Sequence, residues 1–140
     1  MYIPKHFLVN DRQEALAFLR QNAFAQLVCQ HNNRPEATHV PLLLSEDDTP
    51  LLGHLAANNP QLSSLEGQPV LAIFAGPHDY VSPTWYEGAG VPTWNYQALH
   101  VYGRCRLFSD AEKLQQLVDE LSGVYEQSLP QPWQPDYNPR

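Results

Sequence analysis

Apolar and polar positions change period several times along this chain, and each change marks an element. Ala15, Leu16, Phe18 and Leu19 fall at helical spacing. Asp11 with Glu14 three residues on is a capping-box-like start, so a helix is predicted from Asp11 to about Asn22. Met1–Asn10, which contains Pro4, reads as an extended lead-in. From Phe24 to His31 the period drops to two, with Ala25, Leu27 and Cys29 alternating against Phe24, Gln26 and Val28, as in a strand. Asn32-Asn33-Arg34-Pro35 is turn chemistry, because asparagine tolerates positive φ. A second strand over Glu36–Leu44 then makes a hairpin. Pro41 cannot donate to a ladder and marks an edge or a bulge in it. An acidic turn, Ser45–Pro50, and a third strand, Leu51–Leu55, complete an antiparallel meander.

Asn59-Pro60 has the form of a helix cap followed by proline at the first helical position, opening a short helix through Leu65. Pro69–Ala75 is a continuous apolar run and therefore a strand buried on both faces. A loop pinned by prolines and glycines, Gly76 to Pro92, leads into a long strand from about Trp94 to Phe108. Leu99, Val101, Cys105 and Leu107 point to one side of that strand. Trp94, Tyr96, His100, Tyr102, Arg104 and Arg106 point to the other. An aromatic face that turns basic suits a planar anionic ligand or a second subunit, with ordinary packing under a helix as the alternative. Ser109 and Glu112 form a second capping box. Leu114, Leu117, Val118, Leu121, Val124 and Tyr125 follow at helical spacing, and a proline-rich tail after Leu129 is extended.

Composition narrows the function classes. With 43% apolar and 16% charged residues among 140, the chain is one globular domain without repeats or a linker. Net charge is −7, and the eight cations are Lys5, Arg12, Arg20, Arg34, Arg104, Arg106, Lys113 and Arg140. Only Arg104 and Arg106 lie close together, so direct duplex-DNA binding by the isolated chain is poorly supported. Cys29 and Cys105 sit in apolar, strand-like contexts without C-x-x-C spacing, and read as buried reduced thiols of a cytoplasmic protein. The N-terminus lacks the apolar run of a signal peptide, and no stretch reaches the ~18 apolar residues of a membrane span.

Familiar chemical motifs are absent: there is no G-x-G-x-x-G, P-loop, H-E-x-x-H or G-x-S-x-G. His39, His54, His78 and His100 lack ligand spacing, so no metal site is expected. His78-Asp79 could act as base and orienter only if the fold turned the two together. The sequence identifies no catalytic residue, and any chemistry would be carried by a cofactor.

Five blocks taken in order are more specific: MYIPKHF at the start, ATHVPLLL at 37–44, GHLAANNPQ at 53–61, IFAGPHDYVSPTWY at 73–86 and VPTWNYQALHVYG at 91–103. Together they closely resemble the PaiB-type family of FMN-binding negative transcriptional regulators, from Met1 to about Trp133. That family is similar to the FMN-binding split barrels. The resemblance implies a mainly β (α+β) fold, an antiparallel Greek-key split β-barrel with flanking helices. It also implies a homodimer holding FMN at the subunit interface. By the same resemblance, Thr38, His39, Leu42, His54 and Asn59 line the phosphate and ring side. Trp94, Asn95, Tyr96 and His100 approach from the aromatic block of the same subunit or of its partner.

The chain departs from the family pattern in two ways. A common family arginine in the third block is Ala57 here. A charge-assisted contact is worth ~1.5–3 kcal/mol, so FMN binding is expected to be weaker or to use another cation. Family members also continue past the equivalent of Trp133, and residues 1–140 are read as a single domain without that extension. Beside the FMN-binding regulator stand three other readings: a flavin-dependent oxidoreductase, a haem-binding protein using the same cleft, and a cofactor-free interaction module.

Overall fold

A computed structural model describes residues 1–45 and 49–137. Glu46–Asp48 of the expected acidic turn lie outside the described residues. The elements are α1 (Arg12–Gln21), β1 (Phe24–His31), β2 (Arg34–Pro41), β3 (Leu43–Leu44), β4 (Leu51–Leu52), α2 (Leu62–Leu65), β5 (Pro69–Val81), β6 (Thr93–Arg104) and α3 (Ala111–Glu126). Single 3-10 turns at Lys5–Phe7 and Pro83–Trp85 interrupt the lead-in and the aromatic loop.

Local chemistry explains most boundaries. The Asp11 carboxylate accepts from the amides of Gln13 at 2.7 Å and Glu14 at 3.2 Å, starting α1 where the capping signal places it. Asn32 and Asn33 both have positive φ (49° and 60°), which lets a two-residue turn follow the right-handed twist of its strands. That turn pairs Leu27 with Thr38 and Cys29 with Glu36. The strand expected to run to Leu44 ends at Pro41, and the Leu42 amide, bonded to Ala23 O at 2.9 Å, carries the same β1–β2 register one bond further. Leu43–Leu44 pair instead with Leu51–Leu52, so the third strand is shorter than its apolar run suggests.

β5 runs past the expected end at Ala75. A bulge between Ala75 and His78 absorbs Gly76 and Pro77, and pairing resumes with His78 opposite Tyr96 and Tyr80 opposite Trp94. Residues 76–81, expected in the loop, are therefore strand. At its other end β6 stops at Arg104 rather than Phe108. Beyond it the Cys105 amide bonds Gln68 O at 2.9 Å, and the Leu107 amide is taken by Glu66 Oε2 at 2.6 Å. α3 is capped by Asp110, which accepts from the Lys113 amide at 2.9 Å, not by Ser109.

The sheet order is β2-β1-β5-β6, every pairing is antiparallel, and β3-β4 form a separate ladder. This is the mainly antiparallel architecture with flanking helices that the sequence predicts. Ala25, Val40, Ala72 and Phe74 present one face of the larger sheet to the core, with Leu99 and Val101 beside them. Phe18 and Leu19 of α1 and Leu44 and Leu51 of the small ladder close over that face. The opposite face carries Phe24, Gln26, Ile73 and His100 by alternation. Tyr125 lines a cleft with Phe24 and Ala75, which brings the end of α3 to this second face.

Two glycines let backbones approach closely. A Cβ on Gly76 would lie 2.6 Å from Phe18 Cε2, and one on Gly53 would lie 2.7 Å from Leu42 Cδ2 and 3.2 Å from Pro41 O. Leu42 is buried and the Pro41 carbonyl is main chain, so neither can yield cheaply at Gly53. Gly53→Ala is expected to destabilise the fold by about 1–3 kcal/mol. The measurement is a lowered urea midpoint at constant slope. An unchanged midpoint would show that the β2–β3 kink relaxes around the new methyl.

Candidate functional site

The segment between β4 and α2 has no ladder, and polar side chains hold it. Asn59 Oδ1 accepts from the Gln61 amide at 2.9 Å, and Asn59 Nδ2 donates to Thr38 Oγ1 at 3.0 Å. Asn59 thus caps a turn that precedes α2, and the helix begins at Leu62, not at Pro60. Gln61 is fully buried. Its Nε2 donates to Glu36 O at 2.8 Å and Leu27 O at 3.2 Å, and lies 3.4 Å from Cys29 Sγ. Its Oε1 is buried with no donor among the described residues. A second tie joins His31 Nδ1 to Ser64 Oγ at 2.7 Å, fastening α2 to the end of β1.

Thr38 and Asn59, both expected site residues, are joined by a hydrogen bond between their side chains. A primary amide carries two N–H donors and a hydroxyl carries one. The Asn59–Thr38 bond uses one amide hydrogen and the hydroxyl as acceptor, which leaves a second amide hydrogen and the hydroxyl hydrogen to donate. Both residues are half-buried on β2 and the turn before α2.

The other expected residues lie elsewhere. His39 is exposed on the opposite sheet face, its ring 6.0 Å from that of Phe24. Register places it in one cross-strand row with Gln26, Ile73 and the half-buried His100. Leu42 is buried in the core, and His54 is exposed just beyond β4. Trp94, Asn95 and Tyr96 are exposed at the start of β6. There the Trp94 and Tyr80 rings meet edge-on at 6.0 Å, and Tyr96 Oη reaches Met1 Sδ at 3.9 Å. Within one chain the expected residues therefore form separate groups.

The face of β6 expected to turn basic is interrupted. Arg104 Nη1 donates to Gly67 O at 2.7 Å, so this cation ties down the entry to β5. Arg106 falls beyond the strand. Two open clefts are lined by none of the expected residues, although Phe24, the ring neighbour of His39, lines the second. One of about 480 Å³ runs between α3 and the C-terminal tail, and one of about 380 Å³ lies where α1 meets β1. The tail is held by Glu126 Oε2, which accepts from the Trp133 amide at 2.7 Å, and by a bond from Tyr137 Oη to Asp119. That bond, more than burial or the Asp119 charge, raises the Tyr137 phenol pKa.

Gln61 is the residue that the sequence pattern concealed. It precedes the buried Leu65 by four residues, so helical spacing puts both on one face, where a glutamine is out of place. Cys29 and Cys105 are free thiols, buried and half-buried respectively. Burial first, then the Glu66 carboxylate and then Cys29, push the Cys105 thiol above its ordinary range. Among the described residues, no three His, Cys, Asp or Glu side chains gather as a metal site, and no helix is long and apolar enough to cross a membrane.

Comparison with known proteins adds relatives to this geometry. A family model described as "Putative FMN-binding domain" matches residues 1–140. The chain is 40% identical over 121 residues to Protease synthase and sporulation protein PAI 2 of Bacillus subtilis, an alignment covering 84% of this chain and 58% of that protein. It is 33% identical over 139 residues to an uncharacterized Emericella nidulans protein, covering 71% of this chain and 55% of that one. It is 31% identical over 153 residues to an uncharacterized Saccharomyces cerevisiae protein, covering 91% and 89%. The chain thus spans little more than half the length of the Bacillus and Emericella relatives. Among solved structures, the flavocytochrome Anf3 from Azotobacter vinelandii superposes with a TM-score of 0.64 at 20% identity. That superposition covers 84% of this chain and 56% of that one, and the likeness is one of fold.

The raised Cys105 pKa has a checkable sign. A thiol whose pKa is higher folded than unfolded keeps its proton better in the native state, so its contribution is present at lower pH and is lost as pH rises past the ordinary thiol range. Removing the Glu66 charge by Glu66→Gln is expected to speed alkylation of Cys105 by iodoacetamide at mildly alkaline pH. An unchanged rate would mean that burial alone protects the thiol.

Proposed function

Because the chain belongs to this FMN-binding domain family, we propose that it is a PaiB-like FMN-binding protein that works as a cytoplasmic homodimer in transcriptional repression. The observation that carries the reading is the bonded pair Thr38–Asn59, with a hydroxyl hydrogen and an amide hydrogen left to donate. Neutral donors of this kind fix phosphate oxygens in register, whereas clustered cations supply most of the electrostatic attraction. The donor set fits the phosphate end of FMN. Ala57 adds no charge to it, so affinity in this reading is modest.

The ring end of the flavin needs an enclosed, largely apolar wall, since bound ligands of this size bury most of their surface. Trp94 and Tyr96 are 61% and 59% exposed, and His39, His54 and Asn95 are exposed as well. One chain alone does not enclose a flavin with these residues. A second copy that lays its β5–β6 arm against the β2 side of the first supplies the missing wall, and this is why the reading includes a dimer. A bound flavin supplies one- and two-electron chemistry. The chain's part is to hold the phosphate and cover the ring.

Repression in this reading does not run through tight duplex contact by the chain alone. A net charge of −7 offers little to release counterions from DNA.

Titration of the purified protein with FMN, followed by flavin fluorescence and gel filtration, tests the proposal. Saturable binding is expected. Thr38→Val and Asn59→Ala should each weaken it by roughly tenfold or more, as for hydrogen bonds to a charged group. Trp94→Ala combined with Tyr96→Ala should shift the dimer towards monomer. A protein that ignores added FMN overturns the reading, and unchanged affinity in both donor variants removes the phosphate assignment.

A further inference from the structure

We propose that Gln61 is the positioning residue of this site: its buried amide fixes Asn59 against Thr38 and so sets the geometry of the two phosphate donors. The inference rests on the FMN reading above.

The chain between Gly53 and Gln61 is irregular, and α2 is a single turn. A helix of that length has no stability of its own, so contacts with the sheet must hold this region. The Gln61 amide meets the sheet at the place that matters. Leu27, whose carbonyl it binds, stands opposite Thr38 in the β1–β2 ladder, and Glu36, whose carbonyl it also binds, lies two residues before Thr38 on β2. From the same residue, the backbone amide binds Asn59 Oδ1. Gln61, Asn59, Thr38 and the two strand carbonyls form a closed loop of hydrogen bonds around the donors. Slackening any link lets the donors separate.

The unmet Oε1 points the same way. A residue kept only to fill volume would be leucine or methionine, and would leave no buried acceptor without a donor. A primary amide is the neutral side chain that gives two N–H bonds to two carbonyls from a single nitrogen. The unsatisfied oxygen accompanies that capacity. Buried polar groups left unmet at one atom tend to mark functional sites and call for an explanation.

The experiment compares Gln61→Met and Gln61→Glu with Leu121→Ala, which lowers stability from the buried face of the distant α3. Gln61→Met should raise the FMN dissociation constant at least tenfold, while Leu121→Ala leaves it within twofold. In the Gln61→Glu variant, the carboxylate would face two carbonyl oxygens, and only its protonated form can donate to one of them. Its FMN affinity should therefore recover as pH is lowered through the mildly acidic range, a trend that the unsubstituted protein lacks. A readout free of FMN is the nitrogen-15 resonance of the Asn59 side-chain amide in the unliganded protein. It should shift and exchange faster with solvent in both Gln61 variants. Equal loss of affinity in Leu121→Ala, no pH recovery in Gln61→Glu, or an unmoved Asn59 amide each overturns the proposal. If the unsubstituted protein binds no FMN, the functional reading falls, and the Asn59 resonance alone decides the role of Gln61.

Discussion

The two-residue turn at Asn32-Asn33 fixes the register on which the rest of the structure depends. Side chains alternate across a strand, so a slip of one residue in the β1–β2 pair would turn every one of them to the other face. In the observed register Ala25 and Val40 face the core together, and Leu27 stands opposite Thr38. The same register delivers the Leu27 and Glu36 carbonyls to the Gln61 amide. It also sends His39 to the far face, in line with Gln26, Ile73 and His100. Core formation and site geometry are thus set by one local constraint, the tolerance of asparagine for positive φ.

From that hairpin outward, the fold is a layered response to burying one sheet face. Phe74 of β5 is fully buried in a cluster to which α1 adds Phe18 and Leu19 and the β3–β4 ladder adds Leu44 and Leu51. β5 and β6 then extend beyond the sheet as a two-stranded arm, bent by the bulge at Gly76-Pro77. The arm leaves Tyr80, Trp94 and Tyr96 in solvent, with Trp85 and Tyr86 beyond it in the loop. Of these rings, Tyr80 and Trp94 meet edge-on, and exposed apolar surface of this kind suits an interface. That exposure is why the proposed reading gives the flavin wall to two subunits rather than one.

Much of this was legible in the sequence, and the failures share a cause. Period and capping signals located α1, β1, the hairpin and α3 because those features are local. The apolar run Pro41–Leu44 does not tell where pairing with β1 ends and pairing with β4 begins. Gly76-Pro77 looked like the end of a strand, yet β6 is long enough to pair past it as a bulge. Asp110 rather than Ser109 caps α3, and since serine and aspartate are both competent caps the sequence does not choose between them. Of the residues expected at the site, Thr38 and Asn59 meet through tertiary placement of the β4–α2 connection. Gln61 escaped notice because a polar residue at an apolar helical position carries no sign of its partners, which lie on two other strands.

Asparagine φ sets register, register places two strand carbonyls, and Gln61 binds them. Asn59 is thereby held on Thr38, and in the proposed reading the donors left over receive the FMN phosphate. A crystal structure of the protein grown with FMN tests this most directly. The account predicts the phosphate within hydrogen-bond distance of Thr38 Oγ1 and Asn59 Nδ2, with the ring covered by aromatic side chains of a second copy. FMN lodged in the cleft between α3 and the tail, or a phosphate out of reach of both donors, would contradict it.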